Sequence, residues 1–178
     1  MNFVSDNTIL IREACFMDIE PMIKIRRACW INNYVNPDIG LTTEVLREIN
    51  MLNDPQRDVW RERIMINRTR GVTFVATIEE KVVGLCMIRY KYDLKNHLIY
   101  FLYVDPDYQR RGIGTLLLLQ SHSWFGKGSN IIAMVVAYNE HALSFYRKHG
   151  YKDSGHHEKR TVTYGLEMPF VKVVKENK

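Results

Sequence analysis

Gln109-Arg110-Arg111-Gly112-Ile113-Gly114 stands between a strand-like run at 98–104 and a helix-like run that starts at Thr115. A glycine-bearing turn of this kind can aim successive backbone N–H groups at one point ahead of a helix N-terminus. Unpaired donors and partial positive charge gather an anion there, a phosphate above all. Only small residues let phosphate oxygens come that close to the main chain. Further along, Asn139-Glu140-His141-Ala142-Leu143-Ser144-Phe145-Tyr146 places an amide and a phenol on one face of a helix. Plainer readings exist for each feature: a tight strand-to-helix turn, an N-cap at Asn139, and an aromatic core pair at Phe145 and Tyr146.

The elements that must hold these groups follow from hydrophobic period. Residues 9–14 alternate like a short strand, and Asp18 can cap a helix in which Ile19, Met22, Ile23, Arg26 and Trp30 recur at helical spacing. After the turn at 36–40, Val45, Leu46 and Ile49 mark a second helix that stops near Asn53-Asp54-Pro55. A third is predicted over 55–67, with Val59, Trp60, Ile64 and Met65 inward. The period then shortens to two. Runs at 73–78 and 81–90 read as a hairpin turning at Glu79-Glu80. A strand at 97–104, a helix at 115–125 and a strand at 131–137 come next. A helix at 139–149 is stopped by Gly150, and a last strand at 160–168 pairs with 152–155.

This order predicts an α/β (α+β) fold: a mixed sheet, mostly antiparallel in its first half, with helices on both faces. A chain of 178 residues with 46% hydrophobic content fits a single domain over 1–178. Its core covers about 9–168 with a C-terminal tail at 169–178, of which the basic end at 172–178 reads as frayed and solvated. No window approaches the roughly 20 apolar residues that cross a bilayer. The start Met1-Asn2-Phe3-Val4-Ser5-Asp6 lacks the order of a secretion signal, so a cytoplasmic protein with no membrane partner is expected. Cys15, Cys29 and Cys86 are odd in number and set among apolar residues, which predicts buried free thiols.

The net charge of +5 is spread among acids rather than gathered into a run, which argues against nucleic acid. Arg110, Arg111 and Arg147 instead suit a local positive field around a phosphorylated ligand. The adjacent pair His156-His157 would point to opposite faces of a strand, and His122, His141 and His149 lack ligand spacing. No metal site is expected, and the histidines read as surface residues.

In its paired motifs the chain resembles the Gcn5-related N-acetyltransferase (GNAT) superfamily, whose pyrophosphate turn reads Gln/Arg-x-x-Gly-x-Gly/Ala and whose next helix carries Asn-x-x-Ala-x-x-x-Tyr. Gln109, Gly112 and Gly114 fit the first pattern; Asn139, Ala142 and Tyr146 fit the second. The resemblance runs from about 73 to 151. It implies an acyl-coenzyme A N-acyltransferase fold with a splayed parallel strand pair, and acetyl-coenzyme A as cosubstrate. Cofactor contacts would fall on Leu102, Tyr103 and Val104, on Gln109, Arg110, Arg111, Gly112, Ile113, Gly114 and Thr115, and on Asn139. Tyr146 would protonate the departing thiolate.

The resemblance also implies an acceptor cleft beside Trp30 and Tyr34, although both could simply staple a helix to the core. Where related enzymes carry a basic glutamate, this sequence has Leu98 and Met134, and neither takes a proton. Glu44, Glu48, Glu79, Glu80, His97 and Tyr100 are candidates by neighbourhood. The expected activity is acetyl transfer to a primary amine of a small molecule, a polyamine or amino compound, in a ternary complex. Alternatives are a protein N-terminal or lysine acetyltransferase and a non-catalytic acyl-coenzyme A sensor. Dimers are common in the superfamily, so a homodimer stands beside a monomer as a partner state.

Overall fold

Alternation along the early strands sends side chains into two separate cores, one on each face of a seven-stranded sheet. The computed structural model describes residues 8–51, 61–62, 70–90, 96–161 and 165–178. β1 (Leu10–Glu13) leads into α1 (Ile19–Asn33) and α2 (Thr43–Met51). β2 (Gly71–Ile78), β3 (Lys81–Tyr90) and β4 (Asn96–Val104) follow. Then come α3 (Ile113–Phe125), β5 (Ser129–Val136), α4 (Glu140–Lys148), β6 (Lys152–Thr161) and β7 (Glu167–Asn177). The helix predicted over 55–67 lies outside the described residues apart from 61–62, which are helical.

The strand order is β1-β2-β3-β4-β5-β7-β6, with β4 and β5 the parallel pair and the other neighbours antiparallel. On one face α1 presses Met22, Ile25, Cys29 and Trp30 onto Val75, Leu85, Met87 and Tyr103. On the other, α3 presses Ile113, Leu117, Leu118 and Phe125 onto Phe74, Ala76, Ile88 and Ile99. Each large apolar side chain so buried is worth about 2 kcal/mol. Gly84 faces α3 in step with Cys86 and Ile88, and a bulge at Val83 puts that residue on the same face. A Cβ on Gly84 would stand 3.1 Å from both Ile113 and Leu117, so its absence lets the start of α3 settle on the sheet.

The hairpin turns at Glu79 and Glu80, both with positive φ, as a two-residue turn of this type demands. Near the N-terminus, Asp18 does not cap α1 with its side chain. Its carboxylate accepts from Arg12 at 2.7 and 2.8 Å and from the Cys15 N–H at 2.7 Å, fastening β1 to the turn before α1.

Four expectations need correction. The segment predicted as one strand at 160–168 is the end of β6 and the start of β7. The tail read as frayed is β7 itself, hydrogen-bonded between β5 and β6, with Val171 and Val173 buried. Cys15 is exposed while Cys29 and Cys86 are buried, because only the latter two face a core. His122, read as a surface residue, is buried, its Nε2 2.8 Å from the Tyr151 hydroxyl, and the candidate His97 is buried as well, stacked on Phe125 at 4.4 Å.

Candidate active site

The parallel ladder between β4 and β5 ends at Ile99 and Ala133, yet β4 runs on to Val104 and β5 to Val136. Past that point the strands no longer pair, and each turns main-chain groups toward a gap. Asp105 gives its N–H to Val83 on β3. Because N–H groups alternate along a strand, those of Leu102 and Val104 face the gap instead. The Val104 carbonyl, on that same side, accepts from the Cys29 thiol at 3.2 Å and from Gln109 Nε2 at 3.1 Å. Gln109 thus buckles the turn before α3 to the end of β4. Burial pushes the Cys29 thiol up to about 12, so it stays a neutral donor.

The turn itself reverses twice through left-handed backbone, at Arg110 (φ 64°) and Gly112 (φ 82°). Gly112 occupies the N-cap position of α3 with no side-chain cap, and the first bond of the helix runs from the Leu116 N–H to the Gly112 carbonyl. The N–H groups of Ile113, Gly114 and Thr115 are therefore the orphan donors of that helix end. A diphosphate fits this place by its chemistry: a ring of donors at a positive dipole end, with no acidic side chain among the residues around it.

Gap, turn and α4 enclose a cavity of about 300 Å³. The structure brings Leu102, Tyr103, Val104, Gln109, Arg110, Gly112, Ile113, Gly114, Thr115, Asn139, Tyr146 and Tyr34 to its wall. Asn139 does cap α4, its Oδ1 accepting from the Ala142 N–H at 3.0 Å, which leaves the Nδ2 amide for the cavity. The Tyr146 ring is 7% exposed and stands edge-on to Phe145 and Tyr151. Burial pushes its phenol well above the ordinary range, so the proton stays on at neutral pH. The Tyr34 phenol is likewise raised by burial, and its ring meets Trp30 edge-on at 5.3 Å.

Several expected residues are elsewhere. Trp30 does not line the cavity: it is buried, donates its Nε1 proton to the Tyr103 hydroxyl at 3.2 Å and lies under Arg26. The Arg111 guanidinium turns back to the Asp107 carbonyl at 3.2 Å and over the Tyr108 ring, so only its main chain belongs to the turn. Arg147 pairs with Glu140 on the outside of α4. None of Glu44, Glu48, Glu79, Glu80, His97 and Tyr100 reaches the wall. Sequence reasoning did not place Cys29, Asn33, His141 and Lys148 at the wall, where they stand. The last two could have been found, since they share the α4 segment with Asn139 and Tyr146.

A strand pair that opens into a cleft beside a donor-rich helix end is the architecture that the resemblance implied. Residues 69–153 match the family model of the acetyltransferase (GNAT) domain. This match supports membership of the Gcn5-related N-acetyltransferase superfamily. The paia N-acetyltransferase of Thermoplasma acidophilum, solved in complex with coenzyme A, has a similar fold at 20% identity with a TM-score of 0.72, covering 95% of this chain and 99% of that one. Ribosomal-protein-alanine N-acetyltransferase from Brucella melitensis is 21% identical at a TM-score of 0.69, with 94% and 99% covered. The Salmonella typhimurium protein yncA, solved with its cofactor acetyl-CoA, is 16% identical at a TM-score of 0.69, with 97% and 95% covered. No curated protein matches the sequence. Among the described residues, no helix is long and apolar enough to cross a membrane, and no group of His, Cys, Asp and Glu could hold a metal ion.

Proposed function

We propose that the protein transfers an acetyl group from acetyl-coenzyme A to a primary amine of a small molecule, within a ternary complex. The observation that carries this reading is the early end of the β4–β5 ladder, which opens a cleft between the α3 N-terminus and Tyr146. The cosubstrate supplies an acetyl group already activated as a thioester. The N–H groups of Ile113, Gly114 and Thr115 hold its diphosphate, and Gly112 gives the turn the backbone shape it needs. The gap-facing main chain of Leu102 and Val104, with the Asn139 amide, aligns the arm. An N–H from β4 directed at the acetyl oxygen is worth about 3 kcal/mol in acyl transfer. Tyr146 keeps its proton until negative charge grows on the departing sulfur, then donates it.

Replacing Tyr146 by Phe tests the assignment. Turnover, read as free thiol release, is expected to fall by about 10²- to 10³-fold while coenzyme A affinity stays within about twofold. Unchanged turnover removes Tyr146 from the mechanism. The acceptor is found by offering polyamines, amino acids, aminoglycosides and short peptides to the enzyme; peptide-only activity would instead indicate a protein acetyltransferase. A non-catalytic acyl-coenzyme A sensor is favoured by one feature, the lack of any carboxylate among the described cavity residues. Thiol release with any amine rejects it.

A further inference from the structure

Thr115 and His149 form a couple that the acetyl transfer scheme leaves unused. Thr115 is the third residue of α3 and lines the cavity beside the orphan donors. Its Oγ1 is 3.1 Å from Nε2 of His149, the residue that ends α4. The other ring nitrogen, Nδ1, is 2.8 Å from the Phe145 carbonyl oxygen. A carbonyl only accepts, so Nδ1 carries a hydrogen in every state of the ring.

That fixes what Nε2 can do. In the neutral ring Nε2 is bare, and the Thr115 hydroxyl must donate to it. The Thr115 oxygen then shows the cavity only lone pairs, which is the wrong face for a phosphate. In the charged ring Nε2–H donates to Oγ1, and the Thr115 hydrogen is released to swing into the cavity as one more donor. Imidazole is the side chain that makes this change near physiological pH.

We infer that His149 is a positioning residue that takes up a proton from solvent when the cofactor diphosphate arrives, converting Thr115 from an acceptor into a donor toward that anion. The inference rests on the proposed cofactor site. The groups around the ring are consistent with it. From α3 come Thr115 and His122, the latter kept neutral by burial and by the charge of Lys175, which help bring it down to about 4. From β7 comes Lys175, beside Gly150. From α4 itself come the Phe145 ring at 4.5 Å, Lys148 on the cavity wall, and Arg147, which is engaged by Glu140. Apart from the Glu140 carboxylate that engages Arg147, the charged groups named here are cations, and the diphosphate brings the negative charge that favours a protonated imidazole.

The test is calorimetric titration of the full chain with dephospho-coenzyme A, repeated near pH 7 in buffers of different ionisation enthalpy. That probe keeps the diphosphate but lacks the 3′-phosphate, whose own ionisation near about pH 6 would mask the signal. Wild-type protein is expected to take up about half a proton or more per ligand bound, and to bind more weakly as pH rises between about 6 and 8. His149→Gln, whose amide nitrogen stands where Nε2 stood as a permanent donor, should show no uptake and an affinity flat across that range. Thr115→Val should also lose the uptake, and it serves if the first variant does not fold. Wild-type binding without proton uptake, or uptake that persists in both variants, overturns the inference while leaving the cofactor site standing. Failure of both dephospho-coenzyme A and coenzyme A to bind at any pH overturns the site and this inference together.

Discussion

Tyr146 and the residues facing it make a site that can give a proton more readily than take one. The buried phenol holds its hydrogen, the Cys29 thiol holds its own, and no carboxylate stands on the described wall. His141 is the one imidazole on that wall, and in this account it takes no proton from the acceptor, so the amine must arrive already neutral. At saturating acetyl-coenzyme A, log kcat/KM for an alkylamine should rise with a slope of about one per pH unit, up to the pKa of the amine itself. A break near about pH 7 in that profile would reveal a protein base and contradict this account.

At this same scale, the parts legible in the sequence are those whose spacing is local. Gly112 and Gly114 in one turn, and Asn139 and Tyr146 on one helix face, end on the same cavity. Asn33 and Cys29 reach the wall only because α1 crosses the sheet, and nothing in their neighbourhood along the chain announces it. Arg111 misled because a basic residue in a glycine turn suggests a side-chain contact to a phosphate, whereas its guanidinium turns back to Asp107 and Tyr108.

Among the elements, β1 and α1 are joined by a two-pronged ion pair on a buried carboxylate. Burial works to raise the Asp18 carboxyl, but the hydrogen bond from Arg12 and those from Cys15 outweigh it and hold it below the usual range. A carboxyl lowered in the folded state adds stability above its unfolded pKa of about 4, and that stability is lost as pH falls through the lower folded value. Asp18→Asn should cost about 1–2 kcal/mol in denaturant unfolding at pH 7, because it leaves Arg12 without its charged partner. The gap between wild type and variant should narrow as pH falls below about 4. A gap that stays constant with pH would mean that the pair contributes through shape alone. Element positions were well marked wherever the hydrophobic period was strong, as in β2, β3 and α3. Asp18 reads as a helix cap from its place before Ile19, but the bond to Arg12 is a tertiary contact that spacing does not encode.

For the molecule as a whole, the chain end is structural. β7 lies between β5 and β6, so Phe170, Val171, Val173 and Val174 carry two ladders at once. A chain truncated after Met168 is expected to lose its cooperative thermal transition, which circular dichroism would show; a sharp transition near the wild-type Tm would contradict that role. Lysines and a terminal position hid this strand, since its partners lie far back along the chain and its polar outer edge, β6, reads like a loop. The same sheet order places β4 beside β5 and thereby creates the cleft on which the function depends. A crystal structure of the coenzyme A complex tests that dependence most directly. Diphosphate oxygens should lie about 2.7–3.1 Å from the N–H groups of Ile113, Gly114 and Thr115, with the arm between β4 and β5 and the sulfur facing the Tyr146 hydroxyl. A diphosphate bound anywhere else, or an arm outside that gap, would contradict the account.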